Sequence, residues 1–373
     1  MASISTIVRK VDQVLSTGRS LPLRIIGACA FVVGTFLCPP ITSSSASDLH
    51  SPLLTGERSM AMSGRNIWAA IDSYVASGVS EFNANTGMPI RLVTAKVDHV
   101  RSPSGICISD GDVWVTSGYD GSVAELNSRD GLIVRVIDSK AYHLEGASTI
   151  TADGEHLWVL NPEESSITEI EEKSGSLVHV IHLLGDLLTA QQVWGPNQLV
   201  SDGRHVWVSN VSTSADTVME LNPRTGAIVR SVNMGSSTPN STFGHLFLGG
   251  SHLWVTNSNG TSLTLLNATT GSVIRDYDLK AVLQDGENAL VQSGSELWVT
   301  GYLPNVVELN WRTGSITRDI RLPHDVFTTM GPVLLSRSRV WFPVIFANAP
   351  SVAKDTGVIE LDARNGSIVR TFK

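Results

Sequence analysis

The chain has 373 residues, 42 % of them hydrophobic and only 17 % charged, with 32 glycines and a formal net charge of −8. Few charges with much Gly, Ser and Thr argue against a coiled coil and against disorder over most of the length, and suit an all-β protein with many tight turns. Residues 1–46 carry Arg9, Lys10, Arg19 and Arg24 against Asp12, so about −11 falls on the remainder, an acidic surface that argues against nucleic acid as a partner.

The first element is apolar. Ile25 to Cys38 is free of charge, follows the basic start and precedes Pro39-Pro40. As a helix it spans roughly 21 Å, short of a ~30 Å hydrocarbon core. A basic start, a short apolar run and small residues at Ser44-Ser45-Ala46 make a secretory signal. The rival is an uncleaved anchor from Leu21 to Ile41, which tolerates Arg24. In both cases the basic side stays cytoplasmic and the rest faces outward. Residues 1–46 are therefore expected to be a signal peptide or membrane anchor, 47–58 a linker, and 59–373 the folded domain.

Within that domain the pattern Val/Leu-Trp-Val-Thr/Ser-Asn/Gly recurs. Tryptophans stand at Trp68, Trp114, Trp158, Trp207, Trp254, Trp298 and Trp341, in steps of 46, 44, 49, 47, 44 and 43 residues. A period near 45 built of short strands means a β-propeller with one blade per repeat. The second copy shows the unit. Gly105–Ser109 is a first strand and Asp110-Gly111 a hairpin turn. Val113–Thr116 is a second strand and Val123–Asn127 a third. The turn Asn127 to Gly131 follows, with Gly at the left-handed position, and then a fourth strand over Leu132–Val136. Similar turns recur at Asn83–Gly87, Asn222–Gly226, Asn267–Gly271, Asn310–Gly314 and Asp362–Gly366, with Glu171–Gly175 as a variant. The expected fold is all-β: a seven-bladed propeller of four-stranded antiparallel blades, preceded by the signal or anchor segment. Packing blades around an axis buries both faces of each and leaves only short edges. A buried Trp removes ~150–250 Å² from water, on the order of 4–6 kcal/mol per blade before entropy, so the Trp series is structural.

Trp207-Val208-Ser209-Asn210, Trp254-Val255-Thr256-Asn257 and Trp298-Val299-Thr300-Gly301 resemble the Tyr-Val-Thr-Asn motif of YVTN-type propeller repeats, and Val218–Gly226 matches the Val-x-x-Leu-Asn-x-x-Thr-Gly that follows it. The resemblance covers roughly 59–373 and implies a secreted or surface protein without implying a reaction. More loosely, the chain is similar to NHL repeats and to virginiamycin B lyase, a seven-bladed propeller with a His base and a magnesium ion. That lyase's repeated Trp-Phe-Thr-Glu is absent, the nearest being Trp341-Phe342-Pro343, so no catalytic position carries over.

Two sets of residues carry candidate chemistry. Glu81, Glu125, Glu169, Glu220, Glu308 and Glu360 share one place on the third strand; Arg91, Arg135, Arg230, Arg275, Arg318 and Arg370 share one on the fourth. A ring of carboxylates for cations is one reading. The favoured one is a cross-strand Glu–Arg pair within diagonal reach near each blade's outer edge, worth ~0–1 kcal/mol where exposed. The second set lies in the fourth-to-first loops, which break the repeat and gather at one mouth with the second-to-third loops. His143, Glu145, Trp194, His245, Glu287 and His324 are the candidate ligand-binding residues there. Histidines with carboxylates suit base chemistry, and Trp194, outside the structural series, offers a stacking face. Leu183 to Trp194 and Val344 to Thr356 are candidate specificity elements. Cys107 reads as a small core residue. No metal-ligand spacing and no cofactor motif stand out, and the cofactor is unknown. The leading reading is an extracytoplasmic platform that binds an unknown small molecule, glycan or protein, with membrane contact only through the N-terminal segment. The alternative is a lyase- or hydrolase-type enzyme with a His/carboxylate site at the mouth, using a histidine such as His245 or His324 with Glu145 or Glu287.

Overall fold

The computed structural model describes residues 57–372 except 73–76, 95–98, 139, 184–192, 213–216, 235–244, 257–261, 284–288, 302–303, 329–331, 337 and 347–354. The apolar N-terminal segment, Glu287 and most of the two candidate specificity elements lie outside the described residues.

Residues 57–372 form seven antiparallel sheets, each made from one continuous stretch of chain. Blade 2 has strands Pro103–Ser109, Asp112–Ser117, Ser122–Asn127 and Ile133–Ile137, paired in chain order. The other blades follow the same order over 57–94, 150–182, 193–233, 246–278, 289–321 and 326–372. The first strands of successive blades touch in a closed cycle, blade 7 back to blade 1, so they surround the axis and the fourth strands form the rim. In blade 7 the first strand is split. Val326–Thr328 pairs with one end of Arg339–Phe346 and Leu334–Ser336 with the other.

Local chemistry explains the hairpins. In the turn between third and fourth strands of blade 2, Asn127 Oδ1 accepts from Arg129 N at 2.9 Å and the Asn127 carbonyl accepts from Gly131 N at 2.8 Å. Gly131 takes φ +72, open to glycine at little cost. The turns led by Asn83, Asn222, Asn267, Asn310 and Asp362 are capped by their own side chains in the same way.

Seven apolar clusters lie between neighbouring blades. Trp68 packs with Ile106, Val113 and Leu126 of blade 2. Trp341 packs with Ile67, Ala69 and Phe82 of blade 1. The ring is thus closed by side-chain packing, and among the described residues no strand is exchanged between blades 1 and 7. The seven repeated indoles are at most 4 % exposed. The hydroxyl after the Trp-Val pair has its own task. Thr116 Oγ1 accepts from Gly105 N at 2.8 Å and donates to the Ser148 carbonyl of blade 3 at 2.6 Å, joining two blades near the axis.

The Glu–Arg expectation needs correction. In every blade the fourth strand shifts register by one residue beside the third-strand Glu place. In blade 1 this bulge leaves Ile90 unpaired and sets Glu81 directly opposite Arg91, not diagonal to it. The pairs are not exposed surface pairs either. Glu81 lies wholly buried beneath Arg91, 2.6 Å from its Nε, and Glu308 is 5 % exposed and 2.6 Å from Arg318. Five of the six carboxylates sit between their own blade's Trp and Arg, and Glu169 sits between Trp158 and His179, so the six do not converge on a common cation. Blade 3 has His179 at the arginine place and blade 5 has Leu265 at the glutamate place.

The arginines also join blades. Arg91 donates to the Arg129 carbonyl of blade 2 at 2.8 Å, Arg275 to the Arg312 carbonyl of blade 6 at 2.9 Å, and Arg318 to the Ala363 carbonyl of blade 7 at 3.0 Å.

Candidate functional site

The two faces of the ring differ. One carries the short glycine turns between first and second and between third and fourth strands. The other carries the second-to-third and fourth-to-first loops, whose lengths and sequences vary from blade to blade. Among the described residues, four other than glycine hold a left-handed backbone on this second face, His99, Ser102, His143 and Ser165, with φ of 78°, 50°, 50° and 48°, against one, Asp110 at 47°, in a hairpin turn of the first face. Such backbone costs free energy and persists only where the surroundings enforce it.

The enforcement is visible between blades 2 and 3. After the fourth strand of blade 2, Lys140–Tyr142 makes a 3₁₀ turn. The Tyr142 carbonyl accepts from Thr168 Oγ1 at 2.5 Å, and its hydroxyl donates to the Gly175 carbonyl at 3.0 Å. The loop is therefore pinned to the outer part of blade 3. His143 follows, and its N–H donates to the Lys140 carbonyl at 3.2 Å. Its Nδ1 lies 2.5 Å from Glu164 Oε2, and its ring meets that of His182 edge-on at 5.4 Å. Glu164 belongs to the second-to-third loop of blade 3. His182 ends that blade's outermost strand. The trio therefore sits towards the rim of this face, displaced from the axis.

Neighbouring loops extend the surface. Gly146 N donates to the Gly118 carbonyl at 3.3 Å, so the 118–121 loop of blade 2 lies against 143–147. A Cβ on Gly121 would touch the Glu145 stem at 3.8 Å, and one on Gly146 would overlap Glu163. Tyr119 projects from this strip with 76 % of its surface exposed. Beside it Asp120 accepts from Arg101 N at 2.9 Å.

Of the residues singled out from sequence, His143 is thus brought to a carboxylate, and Glu145 stands exposed in the same loop. Trp194 falls within Val193–Ser201, the first strand of blade 4. His245 precedes the first strand of blade 5, its carbonyl accepting from Thr256 N at 3.1 Å. His324 is exposed in the loop between blades 6 and 7. The three histidines enter from separate loops spaced around the ring. Glu164, His182 and Tyr119 were not singled out. Tyr119 and Glu164 sit in second-to-third loops, and His182 sits in an otherwise regular strand. Among the described residues no group of three or more His, Cys, Asp or Glu could hold a metal ion. Burial, and then Glu172, push the Cys107 thiol well above the ordinary range, which disfavours its thiolate.

The all-β ring of seven four-stranded blades places the chain in the β-propeller class. No protein-family model matches the chain, and no curated protein matches it. Solved structures do. BamB from Moraxella catarrhalis is 18 % identical with a TM-score of 0.52, over 85 % of this chain and 88 % of that one. The computationally designed Ika8 protein is 12 % identical with a TM-score of 0.56, over 87 % and 98 %. The β-propeller domain of Myceliophteria thermophila Cps50 (Swd1) is 13 % identical with a TM-score of 0.59, over 86 % and 96 %. At these identities the likeness is one of fold.

Proposed function

We propose that this chain is an extracytoplasmic propeller of the YVTN-repeat type that serves as a ligand-binding or protein-interaction platform, and that its binding face carries the irregular loops. The observation that supports this is the contrast between the faces. Repetition governs one, where Asp110 in a hairpin turn is the single described non-glycine residue in left-handed backbone, while the other holds His99, Ser102, His143 and Ser165 in that backbone and exposes Tyr119. Stored strain on a loop surface motivates a functional reading. The basic-then-apolar N-terminal segment supports export.

A second reading, a lyase- or hydrolase-type enzyme, draws on one contact. His143 Nδ1 is 2.5 Å from Glu164 Oε2, the arrangement in which a carboxylate orients an imidazole as a general base. His143 and Glu164 here take the places that His245 or His324 and Glu145 or Glu287 held in the reading from sequence.

The test is a melting-temperature screen of the full chain against glycans, peptides and small molecules. Any hit is repeated on Tyr119→Ala and His143→Ala, with Arg312→Ala as a control on the opposite face. The platform reading expects the shift to vanish in the first two and to survive in the third. A shift that survives in both loop variants and disappears in the control contradicts it. Turnover of a hit that is lost in Glu164→Gln selects the enzyme.

A further inference from the structure

Histidines are unevenly placed. Of the chain's ten, four belong to blade 3 or to the loop before it: His143, His156, His179 and His182. Two of these flank a buried carboxylate. Glu169 lies on the middle of the third strand and its side chain is 3 % exposed. His179, directly opposite on the fourth strand, places Nδ1 2.7 Å from Glu169 Oε2. His156, on the second strand, places Nδ1 3.8 Å from Glu169 Oε1 and 3.8 Å from Asp153 Oδ1. Asp153 in turn accepts from Trp158 Nε1 at 2.9 Å.

Elsewhere in the ring this carboxylate meets a guanidinium, which is charged at every working pH. Arg91, Arg135, Arg230, Arg318 and Arg370 serve Glu81, Glu125, Glu220, Glu308 and Glu360. At Glu169 the facing charged and titratable groups among the described residues are His179, His156 and Asp153. The guanidinium of Arg135, from blade 2, goes to Glu125 and to the Lys173 carbonyl. The junction to blade 4 differs as well. Where Arg91 and Arg230 lie against Gly131 and Gly271 of the next blade, Ile181 covers Gly226.

A neutral imidazole donates one hydrogen bond to a carboxylate. An imidazolium makes a charge-assisted bond about twice as strong and cancels the buried charge. Imidazole changes charge between about pH 5 and 8, and guanidinium does not. We propose that blade 3 is a proton-responsive blade: acidification turns His179 and His156 into the counter-charge that arginine supplies permanently in the blades around it, and the blade tightens. Burial raises the Glu169 carboxyl and its bond to His179 only partly offsets this, so the buried carboxylate is short of counter-charge. The consequence reaches the loop face. The Glu169–His179 contact ties the third strand to the fourth; Glu164 lies in the loop that leads into the first of these, and His182 ends the other. The inference rests on blade 3 alone and is independent of the binding reading.

Amide hydrogen exchange of the full chain, corrected for the intrinsic rate, tests it at pH 7.5 and 5.5. The readout is protection of 156–182 relative to 112–137 and 296–321, a ratio that cancels effects common to all blades. The ratio is expected to rise on the order of tenfold on acidification, the yield of one unit of differential protonation. His179→Arg should hold the ratio high at both values. Glu169→Gln, close in shape and without charge, should lose the response. An unchanged wild-type ratio, or a wild-type response retained in either variant, would overturn the proposal.

Discussion

The ring of Phe372 covers Gly87. These residues come from opposite ends of the fold, the fourth strand of blade 7 and the glycine turn of blade 1. The Phe372 ring also meets Phe82 at 6.0 Å between centroids. Blades 7 and 1 are held by this contact and the apolar cluster around it.

Gly87→Ala is therefore expected to cost more than a left-handed turn alone. Gly87 has φ +71 and a Cβ there overlaps the Phe372 ring, whereas Gly64, at φ +62, has open space. A left-handed L-residue costs about 1–2 kcal/mol, and overpacking adds about 1–3. Denaturant unfolding should show the larger loss for Gly87→Ala than for Gly64→Ala. Equal losses would mean that the contact contributes nothing.

Trp254→Ala should destabilise by about 3–5 kcal/mol. Its indole is fully buried, meets Tyr277 at 5.5 Å and Trp311 at 6.3 Å, and donates to Gln292 of blade 6 at 2.8 Å. The check is the midpoint of chemical unfolding. An unchanged midpoint would remove the indoles from the packing account.

Arg91→Met leaves Glu81 buried without its cation. Breaking a buried pair from one side typically costs about 3–5 kcal/mol, while replacing both partners by apolar residues is often neutral. The single variant should unfold much earlier than the wild type, and Glu81→Leu/Arg91→Met should recover most of the loss. A double variant no better than the single would show that the pair's shape, not its charge, matters.

Stability should fall as pH rises from mild acid. Burial raises Glu81, Glu125, Glu308 and Glu360 above the ordinary value of 4.5, each against the pull of its arginine. A carboxyl raised in the fold binds its proton more tightly there than in the unfolded chain. Its contribution is complete below about 4.5 and is lost as pH rises through the raised values. Asp202 acts in the other sense. Burial works to raise it, but the donors of His205 and Arg204 outweigh this, so its contribution is complete above 3.8 and is lost as pH falls below that value. The unfolding midpoint at pH 5 should exceed that at pH 7.5, with the gap narrowed by Glu81→Gln and Glu308→Gln. A midpoint higher at pH 7.5 would contradict the sign.

The repeat was legible because its parts are local. Trp114 and the Asn127–Gly131 turn each obey rules within a few residues, and seven copies reinforce one another. The Glu–Arg pairing was legible in residue type but not in geometry. Spacing alone counts straight through a bulge, and the bulge at Ile90 is what turns a diagonal neighbour into a direct partner for Glu81. The loop surface was half legible. His143 stood out as a histidine in an irregular loop. Glu164 and His182 meet it only because the loop is pinned to blade 3 through Tyr142, a long-range contact that no periodicity announces.

End-to-end coupling tests ring closure most directly, by hydrogen exchange in the full chain carrying Phe372→Ala. Losing the ring should lower the protection of Ser77–Asn83 and Pro89–Thr94 in blade 1 together with that of Asp355–Asp362 in blade 7. A loss confined to blade 7, with blade 1 protected as before, would mean that the two ends do not support each other and that the ring does not close.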